Sequence, residues 1–324
     1  MRSIPLPAVA LVAAFLVTGC TLNPTTTSRQ RADAHLDKAA TYETQGLLDA
    51  ALAEFGLALE VNPNIADAHM GMGGVYQQRG DYEMASRAYE RATIVDPNKF
   101  EAHYSLGLMK QLLGRLQEAL RAYKTAWRLN PDDFKVNREL GSAYLQLGRP
   151  GEALTFAQIS TKLDPENQAA WCNLAATYNL LGRYEEAVDT YRQAAELGDL
   201  ADPVLLGLAD AHIHLNNFQQ AVNVLEVLIR RSPSVTAYER LGYVKFKMRQ
   251  FKPALFQYRK AILLAPDDTA TLNGLGACLM TLYIQAGRND TDQRNEALNA
   301  WRRSIRLNPQ QPRIVDLLAR FSRI

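Results

Sequence analysis

Small and turn-forming residues recur along the chain at a spacing of 34 residues. Prolines stand at positions 63, 97, 131 and 165, glycines at 46, 80, 114, 148 and 182, and alanines at 51, 85, 119, 153, 187 and 221. Glycine commonly follows the last turn of a helix, and proline cannot continue one. Each period therefore predicts two helices, the first ending near the glycine and the second before the proline. A fixed period of this length is typical of repeat proteins, whose core forms by stacking of neighbouring repeats.

The residues between these markers resemble the tetratricopeptide repeat (TPR) family. The family pattern has a large residue at position 4, Leu at 7, Gly or Ala at 8, Tyr at 11, Ala at 20, an aromatic residue at 24, Ala at 27 and Pro at 32. The fifth repeat matches most of it through Trp171, Leu174, Ala175, Tyr178, Ala187, Tyr191 and Ala194. The resemblance implies an all-α fold, a right-handed superhelical TPR solenoid of about eight helix-turn-helix repeats with a C-terminal capping helix.

The predicted repeats fill residues 32–311, at 32–65, 66–99, 100–133, 134–167, 168–201, 202–234, 235–268 and 269–311. Small residues at positions 8 and 20 let two antiparallel helices approach closely. Residues 312–324 predict the capping helix, in which four apolar residues share one face, Ile314, Leu317, Leu318 and Phe321. The opposite face carries Arg313, Arg320 and Arg323, as the solvent-facing end of a repeat array requires.

The eighth repeat contains additional residues. Gly276 and Ala297 are 21 positions apart, where the equivalent residues of other repeats are 12 apart. The excess lies in a polar stretch around residues 285–295. One interpretation is a tolerated loop or an extended helix end, and the other is a protrusion that contacts a partner.

The first 19 residues predict a signal peptide. A single Arg2 precedes an apolar run from Ala8 to Val17, which is too short to span a bilayer. The run ends in Val-Thr-Gly followed by Cys20, which resembles the lipobox of bacterial lipoproteins. That resemblance implies cleavage before Cys20 and lipidation of its thiol, which is the alkylated nucleophile. The alternative is an ordinary signal peptide with a chance cysteine.

Residues 20–31 predict the lipidated cysteine and a flexible tether, because they lack apolar periodicity. Position 21 holds Thr rather than Asp, which favours the outer membrane by analogy with the bacterial sorting rule. Several acyl chains anchor a protein stably. We therefore expect a cell-envelope protein, lipid-anchored to a bacterial membrane and facing the periplasm.

Composition excludes several classes of protein. The chain has 324 residues, of which 47% are hydrophobic and 22% charged, with a net charge of +2. This is too apolar for a disordered chain, and the charge gives no global attraction to nucleic acid. The mean hydropathy of −0.22 excludes a polytopic membrane protein, and three cysteines are too few for a disulfide scaffold.

No catalytic or cofactor motif emerges, so we expect no enzyme, no cofactor and no metal. His35, His69 and His103 share the 34-residue spacing, but stacked repeats hold equivalent residues roughly 10 Å apart. Zinc ligands must each lie about 2 Å from one ion. These histidines are therefore interpreted as packing residues, and Cys172 and Cys278 as small hydrophobic residues.

In the family, first-helix positions 2, 5, 9 and 12 face the groove. Transferred position by position, this predicts groove residues at Asp33, Leu36, Asp67, Met70, Gln77, Glu101, Tyr104, Gln111, Arg138, Ser142, Asn179, Glu239, Tyr243, Phe246 and Asn273. Some members clamp a C-terminal carboxylate with a cation at position 5 and Asn at 9. Here only Arg138 approaches that pattern, with Ser142 beside it, so the mixed groove favours an extended or helical peptide.

Charge is unevenly distributed along the chain. Residues 31–100 carry 11 acidic residues against 6 Lys and Arg, whereas 240–265 carry seven cations and no acid. A candidate basic patch consists of Lys245, Lys247, Arg249 and Lys252. It is interpreted either as a solvated face or as a site for an anionic partner.

Together these features predict a membrane-anchored scaffold that binds proteins or peptides and supports assembly of a cell-envelope complex. Family analogy leaves open a pilus or secretion machine and an adaptor for cell-wall enzymes. The alternative is a carrier or sensor that binds an anionic polymer or lipid headgroup through the basic C-terminal repeats. Nucleic acid is not an expected partner of an exported lipoprotein.

Overall fold

A computed structural model describes residues 24–322, which form seventeen α-helices and contain no strand. The predicted signal peptide, Cys20 and Arg323 lie outside these described residues. The chain divides into two compact units, Met1–Gly114 and Arg115–Ile324. The prediction of an all-α fold, with eight successive helix pairs and a final helix, is confirmed.

The first unit contains five helices. They are α1 (Pro24–Thr44), α2 (Leu48–Val61), α3 (Ala66–Gln78), α4 (Tyr82–Val95) and α5 (Phe100–Leu112). Each packs against the next along the chain.

The second unit contains twelve helices, and each packs against its successor. The first six are α6 (Leu116–Leu129), α7 (Phe134–Gln146), α8 (Pro150–Leu163), α9 (Gln168–Leu180), α10 (Tyr184–Glu196) and α11 (Asp202–His214). The others are α12 (Phe218–Arg231), α13 (Val235–Lys247), α14 (Phe251–Leu264), α15 (Thr269–Gln285), α16 (Thr291–Leu307) and α17 (Pro312–Ser322).

The structure differs from the predicted tether. Helix α1 begins at Pro24, so residues 24–31 are helical rather than irregular. Proline is well tolerated in the first helical turn, where its missing N–H has no intrahelical acceptor. Ala32 is already buried, so packing extends to the start of the predicted first repeat.

The additional residues of the eighth repeat lengthen its two helices. Helices α15 and α16 have 17 residues each, whereas α13 and α14 have 13 and 14. The turn between them is also longer, and the Asp290 side chain caps α16 by accepting a hydrogen bond from the Gln293 N–H at 3.0 Å. The additional residues therefore extend both helices and the turn between them, and contact of this region with a partner stays a prediction.

The repeated small residues lie where helices meet. The eight second-helix alanines at position 20 are fully buried, at 51, 85, 119, 153, 187, 221, 254 and 297. Several glycines on first helices sit against aromatic rings of second helices. Tyr258 is an example, because a Cβ at Gly274 would lie 2.3 Å from its ring.

The turn inside each helix pair contains a residue whose backbone is in the left-handed conformation, with a positive φ angle. Glycine supplies it at positions 46, 80, 114, 148 and 182, with φ between 66° and 76°. Later turns place Asn216 and Arg249 in the same conformation, with φ of 58° and 59°. The geometry of the turn is therefore retained where the glycine of the repeat pattern is absent.

Candidate functional site

Four predicted groove residues surround one cavity in the C-terminal part of the second unit. The cavity has a volume of about 460 Å³ and includes Glu239, Tyr243, Phe246 and Asn273 in its lining. We call it the C-terminal cavity. Helices α13 and α15 supply these residues because positions 5, 9 and 12 fall on one face of a first helix.

Helix α17 forms another wall of the C-terminal cavity, through Pro312, Arg313, Ile314 and Leu317. The sequence predicted α17 as a cap with an apolar inner face, and Phe321 is indeed buried with the neighbouring core. Its position over groove residues was not predicted. Gln311 holds the start of α17 in place, because its Nε2 donates to the Asn308 and Ser304 carbonyl oxygens at 2.8 and 3.1 Å.

The polar groups of this cavity include the Glu239 carboxylate, the Asn273 amide and the Arg313 guanidinium. Burial raises the pKa of Glu239, and the adjacent Arg240 Nη1 donates to its carboxylate at 2.9 Å. Arg240 Nε also donates to Asp210 Oδ1 at 2.8 Å. Asn273 Nδ2 donates to Gln311 Oε1 at 2.6 Å, while Asn273 Oδ1 is buried and accepts no bond from any described residue.

A smaller cavity of about 320 Å³ shares part of this lining. Glu239 and Tyr243 line both spaces, and the smaller one adds Asp210, Ile213 and His214. The groove positions of α11, α13 and α15 thus line two neighbouring cavities. A bound segment that occupied both would lie beside Glu239 and the Tyr243 ring.

The first unit has a cavity of its own, about 670 Å³ in volume, between α1, the end of α2 and the start of α3. We call it the N-terminal cavity. It brings together the predicted groove residues Asp33, Leu36 and Asp67. Lys99 Nζ lies 2.8 Å from Asp67 Oδ1, and Arg29 also lines the space, so its acids are partly neutralised.

Other predicted groove residues of the first unit lie outside the described cavities. Gln77 Oε1 accepts a hydrogen bond from the Tyr89 hydroxyl at 3.0 Å. Tyr104 stacks on Phe100 with ring centroids 6.1 Å apart. Met70 and Gln111 are half-buried and Glu101 is exposed.

The predicted groove residues of α7 and α9 bond within the protein. Arg138 Nε donates to Glu139 Oε1 at 3.0 Å, and Ser142 Oγ accepts from Gln146 Nε2 at 3.2 Å. Asn179 Nδ2 donates to the Gly207 carbonyl oxygen at 2.8 Å. These three residues therefore contribute less free hydrogen-bonding capacity than their side chains suggest.

The residues of the basic patch make separate contacts. Lys245 Nζ lies 4.0 Å from Glu226 Oε1, and Lys247 Nζ lies 6.0 Å from the centre of the Tyr243 ring. Arg249 occupies the left-handed turn position, and Lys252 is exposed in the first turn of α14. No described cavity contains any of the four.

The residue at position 4 of several repeats bonds to the preceding turn. His103 Nε2 lies 2.9 Å from the Pro97 carbonyl oxygen, and in the second unit Asn137 and Trp171 donate to Pro131 and Pro165 at 2.7 Å. His35 Nδ1 instead lies 2.6 Å from Glu54 Oε2. Sequence reasoning missed this role, which chemically different side chains share.

The two described cysteines are free thiols, and burial raises the pKa of each, that of Cys278 to about 12. Within residues 24–322, no cluster of three or more candidate metal ligands occurs. The helices of the same residues include none with the length and apolar character that a bilayer crossing requires.

Successive helices that pack on their neighbours along the chain define a helical-repeat protein. A family model described as the Cilia and flagella-associated protein 70 C-terminal domain matches residues 20–199. Two tetratricopeptide repeat models match residues 181–241 and 235–268. The chain belongs to the tetratricopeptide repeat family.

Solved structures share this fold at low sequence identity. Pseudomonas aeruginosa PilF is 22% identical with a TM-score of 0.53, and the match covers 65% of this chain and 96% of that one. A tetratricopeptide repeat protein from Parabacteroides merdae is 18% identical with a TM-score of 0.54, covering 77% and 99%. A chain of the APC/C hetero-tetramer Cut9–Hcn1 is 16% identical with a TM-score of 0.56, covering 90% and 56%. No curated protein sequence gives a significant match.

Proposed function

We propose that this protein is a lipid-anchored scaffold of the bacterial cell envelope, which binds a protein partner in the C-terminal cavity and supports assembly of an envelope complex. The observation that carries the proposal is the convergence of Glu239, Tyr243, Phe246 and Asn273 on one cavity. Binding pockets typically combine apolar walls with a few polar groups that orient the ligand.

The lining of the cavity indicates the chemistry of the bound segment. Tyr243, Phe246 and Leu317 offer apolar surface, whereas Glu239 and the free Asn273 Oδ1 offer acceptors. A buried acceptor without a partner costs about 1–3 kcal/mol, which a donor of the partner would recover. The fitting segment therefore carries an apolar side chain next to a backbone or side-chain hydrogen-bond donor.

Site-specific photo-crosslinking in cells tests this proposal. A photoreactive residue at position 243 should form discrete adducts with a partner protein, because Tyr243 lines both neighbouring cavities. The matched control is position 263, since Leu263 is 76% exposed on α14 and lines no described cavity. Equal adducts from both positions would contradict binding at the C-terminal cavity.

The anchor has its own test, because Cys20 lies outside the described residues. Cys20→Ala should release the protein from membranes without detergent, since stable anchoring requires the acyl chains. Cys172→Ala is the control and should leave the protein on the membrane. Continued detergent dependence of the Cys20 variant would exclude lipidation as the anchor.

Identification of the crosslinked adducts separates the two kinds of complex that remain open. Recovery of pilus or secretion components supports an assembly factor, whereas recovery of wall hydrolases alone supports an adaptor. No residue of the chain is specific to either kind of complex. The shared fold does not distinguish them either, because one fold can serve many functions.

The alternative function, binding of an anionic polymer at the basic patch, makes a different prediction. Simultaneous replacement of Lys245, Lys247, Arg249 and Lys252 by alanine should abolish salt-dependent polymer binding. Polymer binding that survives this change excludes the basic patch as the binding site.

A further inference from the structure

A second surface, formed by α6 and α8, contains a basic cavity outside the groove positions. Its volume is about 490 Å³, and its lining consists of Arg121, Lys124, Thr125, Trp127, Arg128 and Phe156. We call it the α6–α8 pocket. Its volume falls within the range of about 300–1,000 Å³ that small ligands and inserted side chains occupy.

Three cations lie around this pocket on one face of α6. Arg121, Lys124 and Arg128 are spaced by three and four residues, so they project on the same side of the helix. None of them forms an ion pair with a carboxylate of residues 24–322. Arg128 Nη2 donates to Thr125 Oγ1 at 3.1 Å, and Lys124 Nζ lies 5.5 Å from the centre of the Tyr144 ring.

Aromatic rings form the inner wall of the pocket. Trp127 and Phe156 meet edge to face, with ring centroids 5.9 Å apart and planes at 90°. Tyr144 stacks on Phe156 from α7 at 5.8 Å. Trp127 Nε1 is buried and donates to no described residue, so an acceptor on a ligand would recover a bond that the protein leaves unmade.

We propose that the α6–α8 pocket binds an acidic peptide segment that inserts an aromatic side chain between flanking carboxylates. The inserted ring would pack on Trp127 and Phe156, and the carboxylates would meet the guanidinium groups of Arg121 and Arg128, which bind carboxylates well through paired donors. A free inorganic anion would satisfy the cations but leave both rings uncovered. The pocket shares no lining residue with the C-terminal cavity, so its occupancy can be tested separately from that of the cavity.

Fluorescence anisotropy with a labelled peptide, Glu-Glu-Phe-Glu-Glu, tests the proposal on the full-length protein in detergent. Binding should weaken on raising the salt concentration and should fall about tenfold for the double variant Arg121→Ala and Arg128→Ala. The matched control is Arg302→Ala with Arg306→Ala on α16, which removes the same charge from exposed positions. It should change the affinity by less than about twofold.

Changes to the peptide test the same proposal without altering the protein. Glu-Glu-Ala-Glu-Glu should bind about tenfold more weakly, because it cannot cover the rings. Equal affinity for the Phe and Ala peptides, or equal losses in the two double variants, would overturn the proposal and indicate general electrostatic attraction. Full competition by an equal concentration of inorganic phosphate would also overturn it.

Discussion

The two cavities at groove positions have opposite character. The N-terminal cavity is lined by Asp33, Asp67 and Arg29 beside the half-buried Leu36. The C-terminal cavity is lined by Tyr243, Phe246 and Tyr258 and is partly covered by α17. The first cavity draws its acids from position 2 of the repeat, whereas the second draws its aromatic rings from positions 9 and 12 and from the second helix α14. One repeat array can therefore present chemically different sites at different places along the chain.

The largest expected effect concerns the wall of the C-terminal cavity. In Gly274→Ala the new Cβ would lie 2.3 Å from the Tyr258 ring, so we expect a loss of about 1–3 kcal/mol in unfolding free energy. Gly56→Ala in α2 is the control, because a Cβ there has no heavy atom within 4 Å. It should stabilise the protein by about 0.5–1 kcal/mol.

Urea unfolding followed by circular dichroism measures both changes. If both variants changed the unfolding free energy in the same direction, close packing on Tyr258 would not be the reason for glycine at position 274. Because Tyr258 lines the cavity, loss of the partner adduct formed by crosslinking from position 243 is a further expected result for the first variant.

The second prediction concerns helix α17, which covers part of the C-terminal cavity. Leu317 packs on the core beneath α17 and lines the cavity, so Leu317→Ala should weaken the docking of α17 by about 1–2 kcal/mol. Hydrogen exchange of the α17 amides measures the docking. Val315→Ala, at a residue 45% exposed on the same helix, should change exchange by less than about 0.5 kcal/mol. Equal effects of the two changes would mean that α17 does not cover the cavity through Leu317.

The third prediction uses the buried carboxylate of the C-terminal cavity. Burial raises the pKa of Glu239 above its ordinary value of 4.5, so the folded protein binds this proton more tightly than the unfolded chain does. The resulting stabilisation is present at low pH and is lost as the pH rises from 4.5 through the raised pKa. Glu239→Gln should flatten this part of the stability profile.

Thermal unfolding measured across this pH range tests the third prediction. Glu185→Gln, at an exposed position of α10, is the control and should leave the shape of the profile unchanged. An unaltered slope in the Glu239 variant would show that its burial does not couple protonation to folding.

The smallest expected effect belongs to the N-terminal cavity. Lys99→Gln removes the ion pair with Asp67, whose side chain is 71% exposed, and should cost at most about 1 kcal/mol. The pKa of Lys99 is raised, mainly by its hydrogen bond to Asp67, so this contribution is present below 10.5 and is lost as the pH rises through the raised pKa.

Urea unfolding at low salt and in about 1 M NaCl measures this difference, because salt screens an exposed pair. Lys38→Gln at an exposed position of α1 should have no such salt-dependent effect. A loss that persists at high salt would show that Lys99 stabilises the fold through packing rather than charge.

The sequence by itself determined the helical repeat. Alanines 34 residues apart mark close helix contacts, and the structure buries each of them, because a small residue is required wherever two helices of a repeat touch. Ile314, Leu317 and Phe321 likewise predicted the inner face of α17. These features depend on local helix formation and on packing within neighbouring repeats, which a periodic pattern records directly.

The tertiary structure alone decided which groove residues share a cavity and which bond elsewhere. Glu239 and Asn273 line one cavity because the first helices α13 and α15 pack against each other, whereas Asn179 bonds to the Gly207 backbone. Arg249, predicted as part of a basic patch, serves as a left-handed turn residue where earlier repeats use glycine. The Trp127 and Phe156 contact joins two second helices with no shared motif. Such contacts form between side chains of different repeats. The residue pattern within one repeat contains no information about these contacts.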